Sequence, residues 1–235
     1  MKIKKMIQSS LLLIGSLMVT SCDYLLEDID GSATSNTSPI LSDSSSSSNN
    51  LSSSSNSTIT PPDNQEVEKV NQLIAGLPNP SINNEIVKEI FAVQEAYTNL
   101  SEDEKVQVEN YTKLENSVSE IYNLVKEKQN YSSKYEVALH IFLYDSLPGN
   151  FVTKSQANQY GWKSGSLWKF PELDGKSIGG DRFYNKEGHL PNGTYYECDI
   201  DYKGGSRNAY RIVYSLIEDT IYYTADHYDS FEQLY

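Results

Sequence analysis

The stretch Thr194-Tyr195-Tyr196-Glu197-Cys198-Asp199-Ile200-Asp201-Tyr202 decides how the C-terminal part of this chain folds. A strand through it places Glu197, Asp199 and Asp201 on one face and Tyr196, Cys198, Ile200 and Tyr202 on the other. Strand-like runs also occupy residues 177–183, 209–215, 220–225 and 231–234. Before them, residues 135–146 read as a helix with Val137, Ala138, Ile141 and Phe142 on one face. Thr153 can N-cap a short helix over residues 154–160, closed by Gly161. Helices followed by a run of strands predict an α+β domain: N-terminal helices packed on a five-stranded antiparallel sheet.

Three carboxylates on one strand face repel unless cations meet them. Apart from Arg182, Arg207 and Arg211 are the only arginines of the chain, and they are the natural suppliers. Taken alone, the pattern reads as a surface salt-bridge network. Glu197 also has a chemical reading, with His227, Lys154, Arg207 and Arg211 in the same segment. A carboxylate can take a proton, an imidazolium can give one, and cations can hold a phosphate. That set is what metal-free cleavage of a phosphodiester needs. Gly175-Lys176-Ser177 does not make a nucleoside-triphosphate loop, because Phe170 stands where that motif requires glycine.

The whole chain has 235 residues and a formal net charge of −13, which argues against a general nucleic-acid coat or an electrostatic membrane binder. Residues 1–22 read as an export signal: Lys2, Lys4 and Lys5, then a short apolar run from Leu11 to Val19, too short to span a bilayer. Val19-Thr20-Ser21-Cys22 resembles the lipobox of bacterial lipoproteins, which implies cleavage before Cys22 and lipid on its sulfur. The expected location is the extracytoplasmic face of a membrane, held by that lipid. An ordinary secretory signal with a chance cysteine is the alternative. With Cys22 lipidated, Cys198 is a lone thiol on the core face of its strand.

Residues 23–62 read as a disordered, Ser-rich tether; 14 of the 30 residues from 31 to 60 are Ser. Such a coil spans roughly 35 Å root-mean-square. Residues 63–130 read as a small three-helix module. Val67, Val70, Leu73 and Ile74 recur at helical spacing, as do Ile86, Ile90 and Val93. Ser101-Glu102-Asp103-Glu104 fits a capping box, with a break near Asn110-Tyr111. The layout resembles helical spacers of Gram-positive surface proteins, and serves as a stalk or as a binding unit. Residues 131–235 form the domain that carries the chemistry.

Several dispersed segments of that domain occur in the order and spacing of barnase-like bacterial guanyl-specific ribonucleases, which it resembles. They are Leu147-Pro148-Gly149-Asn150-Phe151-Val152-Thr153-Lys154-Ser155, Gly161-Trp162, and Gly175-Lys176-Ser177-Ile178-Gly179-Gly180-Asp181. Asn185-Lys186-Glu187-Gly188, Leu190-Pro191, Glu197, Asp199-Ile200-Asp201-Tyr202, Arg207-Asn208, Arg211-Ile212 and Asp226-His227-Tyr228 complete the series.

The resemblance implies the microbial ribonuclease fold and a monomer that cleaves single-stranded RNA 3′ of guanosine, without metal or cofactor. It implies Glu197 as general base, His227 as general acid, and Lys154, Arg207 and Arg211 around the phosphate. It gives guanine recognition to the loop containing Tyr184, Asn185, Lys186 and Glu187, with Tyr228 stacking on the base. Asp199 is implied to orient the two arginines. His189 is expected at the rim of the site or as an exposed loop residue, and His140 as structural. Departures are Lys186 where the family usually has Arg, Tyr184 where barnase has a small polar residue, a shorter segment before Glu197, and an acidic domain with 14 acids against ten bases. The expected uses are scavenging of RNA or a toxin paired with a barstar-like inhibitor. A non-catalytic surface module that keeps the fold is the rival reading.

Overall fold

The computed structural model describes residues 64–235, which form one compact unit. The expected export signal, Cys22 and the Ser-rich segment lie outside the described residues.

Helix α1, Gln65–Gly76, buries Val67, Val70 and Ile74. Helix α2, Asn84–Thr98, is capped by the Asn83 side chain, which accepts from the Glu85 amide, and buries Val87, Ile90 and Val93. The run from residue 101 to 125 is two helices, not one. Ser101 and Glu104 form a reciprocal capping box on the single turn α3, Glu102–Lys105. Asn110 then adopts left-handed φ 56°, and α4, Tyr111–Leu124, begins. Asparagine tolerates that backbone, so it can redirect the chain without glycine.

Helix α5, Lys134–Tyr144, is buried nearly all round: Val137, Ala138, Leu139, His140, Ile141 and Leu143. The sequence pattern shows one apolar face because the second is covered by residues far away in the chain. Phe142 stacks on Tyr235 at 4.3 Å and meets Phe91 of α2 edge-on at 5.3 Å. Tyr144 donates to the Val125 carbonyl at 2.9 Å and meets Tyr122 of α4 edge-on. The two ring nitrogens of His140 lie 2.8 Å from the Ser146 carbonyl and 3.0 Å from that of Glu127. His140 therefore ties the segment after α4 to the end of α5, a structural role.

The sheet has six strands in chain order: β1 Phe151–Val152, β2 Ser177–Phe183, β3 Tyr195–Asp199, β4 Arg211–Ser215, β5 Thr220–Thr224 and β6 Glu232–Gln233. Strands β2 to β6 form the antiparallel meander. The expected count of five is corrected by β1, a two-residue strand pairing in parallel with Ser177 and Ile178. It is too short to show a period. Between β1 and β2, Thr153 caps α6, Lys154–Gln159, through a capping box with Gln156.

Strand β3 also stops earlier than the alternation predicts. The Ile200 amide donates to the Tyr210 carbonyl, and the Asp201 amide to Ser132. Asp201 takes φ 55°, so it leaves the face shared by Glu197 and Asp199. The face bearing Glu197 is not simply solvated. Leu190, Tyr195, Val213 and Tyr222 form a buried cluster there, with Phe183, Tyr228 and Phe231 packed against it. With both faces covered, every residue of β4 is buried.

Gly179 lets β1, β2 and β3 approach. A Cβ there would sit 2.6 Å from Cys198 Cβ and 2.7 Å from Phe151 Cδ1. Gly179→Ala is expected to lower unfolding free energy by about 1–3 kcal/mol, the usual range for overpacking. Urea denaturation of the two proteins checks this, and an unchanged midpoint would mean that the strands separate at little cost.

Candidate active site

Strand β3 delivers Glu197 and Asp199 to one face, two residues apart, and each meets its own set of partners. Asp199 is 1% exposed and takes three contacts from two arginines. Arg207 donates Nε and Nη2 to its two oxygens, both at 2.6 Å. Arg211 Nε lies 3.0 Å from Asp199 Oδ1. That contact is an ion pair without hydrogen-bond alignment, since the same nitrogen makes no hydrogen bond. Arg211 Nη1 instead donates to the carbonyls of Asn208 and Tyr210, at 2.8 and 2.7 Å. Hydrogen bonding to Asp199 raises the Arg207 pKa further above its ordinary value.

Glu197 is buried beside this pair. Its Oε1 accepts from Lys154 Nζ at 2.7 Å, and its Oε2 accepts from the Tyr228 hydroxyl. Burial alone would push the carboxyl up. Hydrogen bonds from Lys154 and Tyr228, with the charges of Lys154 and Arg211, outweigh it and hold the pKa below the ordinary carboxylate range. Tyr228 moves the other way: burial and the Glu197 carboxylate raise its phenol well above the ordinary value. The pair therefore stands as ionised carboxylate and neutral phenol at neutral pH.

Lys154 reaches Glu197 from the first turn of α6. Its amide donates to Asp181 Oδ2 at 2.8 Å, and Asp181 pairs with Glu197 across β2 and β3. That anchoring role of Asp181 carries no local sequence signal, because its partner is 27 residues away.

His227 is exposed on the loop after β5, with its ring centroid 4.7 Å from that of Tyr228. His227 and Tyr228 both have positive φ, 60° and 84°. A belt of hydrogen bonds holds this backbone. Thr224 Oγ1 donates to Asp226 at 2.7 Å and accepts from the Tyr228 amide at 3.0 Å. Ser230 donates its amide and hydroxyl to Asp226, at 3.0 and 2.5 Å. These bonds keep the Asp226 carboxyl well below its usual range. This framing role of Asp226, and those of Thr224 and Ser230, carry no signal in the local sequence, because they depend on how the loop folds back on itself.

The loop after β2 lies beside the same cluster. Phe183 packs on Tyr228 at 5.1 Å between centroids. Asn185 closes the loop, donating to the Leu190 carbonyl at 2.6 Å and accepting from the Leu190 amide at 3.1 Å. His189 Nδ1 lies 3.1 Å from the Tyr228 carbonyl and bridges the two loops. Lys186 and Glu187 are exposed. Tyr184 is 67% exposed and lies against Arg182, not Tyr228. The structure thus brings together Glu197, Lys154, Arg207, Arg211, Tyr228 and His227, with the 183–187 loop alongside. Among the described residues, no three His, Cys, Asp or Glu side chains converge to hold a metal ion.

The ribonuclease family model matches residues 136–235. The ribonuclease of Heyndrickxia coagulans is 46% identical over 101 residues, which are 42% of this chain and 92% of that protein. The ribonucleases of Bacillus intermedius and Bacillus pumilus are each 46% identical over 101 residues, and the chain spans 62% of their length. The match covers the strands and loops that carry the whole constellation, and through residues 136–235 the chain belongs to the ribonuclease family.

Proposed function

We propose that the chain is an endoribonuclease that cleaves single-stranded RNA 3′ of guanosine through a 2′,3′-cyclic phosphate. The observation that carries the reading is Glu197: buried, held ionised, and joined through Tyr228 to the ring of His227. Glu197 accepts the proton of the ribose 2′-hydroxyl. The oxygen left behind attacks phosphorus, the bond from phosphorus to the 5′-oxygen breaks, and His227 protonates that leaving oxygen. In the second step the roles reverse: His227 takes a proton from water, the water oxygen bonds to phosphorus, the bond from phosphorus to the 2′-oxygen breaks, and Glu197 returns a proton to that oxygen.

Each Glu197 oxygen already accepts one hydrogen bond, and a carboxylate oxygen has a second lone pair for the 2′-hydroxyl. Lys154, Arg207 and Arg211 face Glu197, Asp199 and the nearby Asp181. Those three cations are thus engaged by carboxylates, and an imidazolium at His227 faces the leaving oxygen as the proton donor. Arg211 is nearly fully buried, so its influence passes through Asp199, Tyr228 and Glu197 more than through direct reach into solvent. Glu187 suits the two N–H donors on the guanine edge, Lys186 adds charge, and the Tyr228 ring offers a stacking surface. Residues 1–22 with lipid on Cys22, and a barstar-like inhibitor, belong to the same reading and rest on the sequence pattern and family resemblance.

Glu197→Ala and His227→Ala are each expected to lower kcat/KM on the dinucleotide GpU by about 10²–10⁴-fold, while the parent chain prefers GpU to ApU. Equal rates on the two substrates would remove the guanine claim, and active alanine variants would remove the acid–base assignment.

Lys154 gives a pH test. In the parent chain Glu197 titrates below the ordinary range, so activity persists to correspondingly low pH. Lys154→Gln removes one hydrogen bond and one positive charge, and the Glu197 pKa rises. The acid limb of kcat/KM then moves to higher pH, as a pH–rate profile will show. A limb that stays in place would mean that Lys154 does not set the charge state of Glu197.

A further inference from the structure

On the face of the sheet opposite Glu197, Arg182 of β2 pairs with Tyr196 of β3, and Tyr196 with Tyr214 of β4. The Arg182 guanidinium lies 5.9 Å from the ring centroids of both Tyr184 and Tyr196. Its Nη2 donates to Thr194 Oγ1 at 3.3 Å, and no ion pair to a carboxylate forms among the described residues. That is unusual here. The other two arginines both engage Asp199, and acids outnumber bases in the chain 32 to 19. An exposed planar cation beside two phenol rings, one of them 67% exposed, is a surface on which a flat ring can stack. Tyr196 lies beside its cross-strand neighbour Tyr214, at 6.0 Å between centroids, which buttresses the platform along the sheet.

The platform is continuous with the loop of residues 183–187, because Tyr184 belongs to both. We propose that Arg182, Tyr184 and Tyr196 form a second RNA subsite, which stacks an unpaired nucleobase next to the guanosine in that loop. The proposal rests on the guanine reading of the loop. Every base has a π face, so the subsite recognises length of single strand and not sequence. Arginine adds attraction for the electron-rich ring and for the phosphate beside it. In an acidic chain this gives local affinity that net charge does not.

The test is calorimetric titration of the chain with uncleavable single strands in which the only guanosine is 2′-deoxyguanosine. A dinucleotide is compared with the same unit extended by three uridines on its 5′ or 3′ side. Extension on one side is expected to tighten binding about tenfold, within the range of one stacked base. Arg182→Ala abolishes most of that gain and leaves dinucleotide affinity unchanged. Arg182→Lys, which keeps the charge and loses the plane, loses most of it too. Tyr196→Leu behaves as Arg182→Ala.

No gain in the parent chain, a gain untouched in Arg182→Ala, or an equal loss for the dinucleotide would each overturn the subsite. A full gain retained by Arg182→Lys would overturn stacking in favour of a simple phosphate contact. Failure of the parent chain to cleave GpU would instead strike the ribonuclease reading, and it leaves the length dependence of binding to be read separately.

Discussion

A buried carboxylate must be paired or it destabilises the fold, and Asp199 is the buried carboxylate around which this site is arranged. Arg207 grips both its oxygens and Arg211 lies against one of them. That clamp fixes the chain between β3 and β4, where Asn208 also donates to the carbonyls of Ile200 and Asp201. It holds Arg211 buried next to Tyr228 and within electrostatic reach of Glu197. Part of the positive charge around Glu197, that of Arg211, therefore depends on a second carboxylate that does no proton transfer, beside the larger share supplied by Lys154. Removing that anchor would release two arginines and take the Arg211 charge from beside Glu197, leaving Lys154 and Tyr228 to hold the carboxylate.

The alternation in residues 194–202 made the Glu197 and Asp199 face legible, because a period of two survives in any strand. It misplaced Asp201, because the strand ends on a long-range bond from the Ile200 amide to Tyr210 and not on a local breaker. Strand β1 was invisible for a related reason. Two residues carry no period, and their pairing depends on the bare backbone of Gly179 lying close. The single apolar stripe expected for residues 135–146 was half of what α5 buries; Leu139, His140 and Leu143 face partners supplied by other segments.

The candidate reactants were legible by residue type and family resemblance, and their arrangement was not. Nothing local says that the Tyr228 hydroxyl turns to Glu197, because that direction follows from positive φ at two successive residues and from the Thr224, Asp226 and Ser230 belt. Nor does the sequence show that Tyr184 leans on Arg182, away from Tyr228. The relation of the helical segment to the rest was equally hidden. Aromatic contacts from Phe91 and Tyr122 to α5 join it to the ribonuclease part in one compact unit.

The central claim is that Glu197 draws its proton from a ribose 2′-hydroxyl, so the reaction must pass through a cyclic phosphate. Following GpU by phosphorus NMR while the chain turns it over tests this most directly. The account predicts that guanosine 2′,3′-cyclic phosphate appears first and 3′-phosphate later, with no reaction when the guanosine is 2′-deoxy. Direct release of 3′-phosphate without the cyclic species, or cleavage of the deoxy substrate, would contradict it.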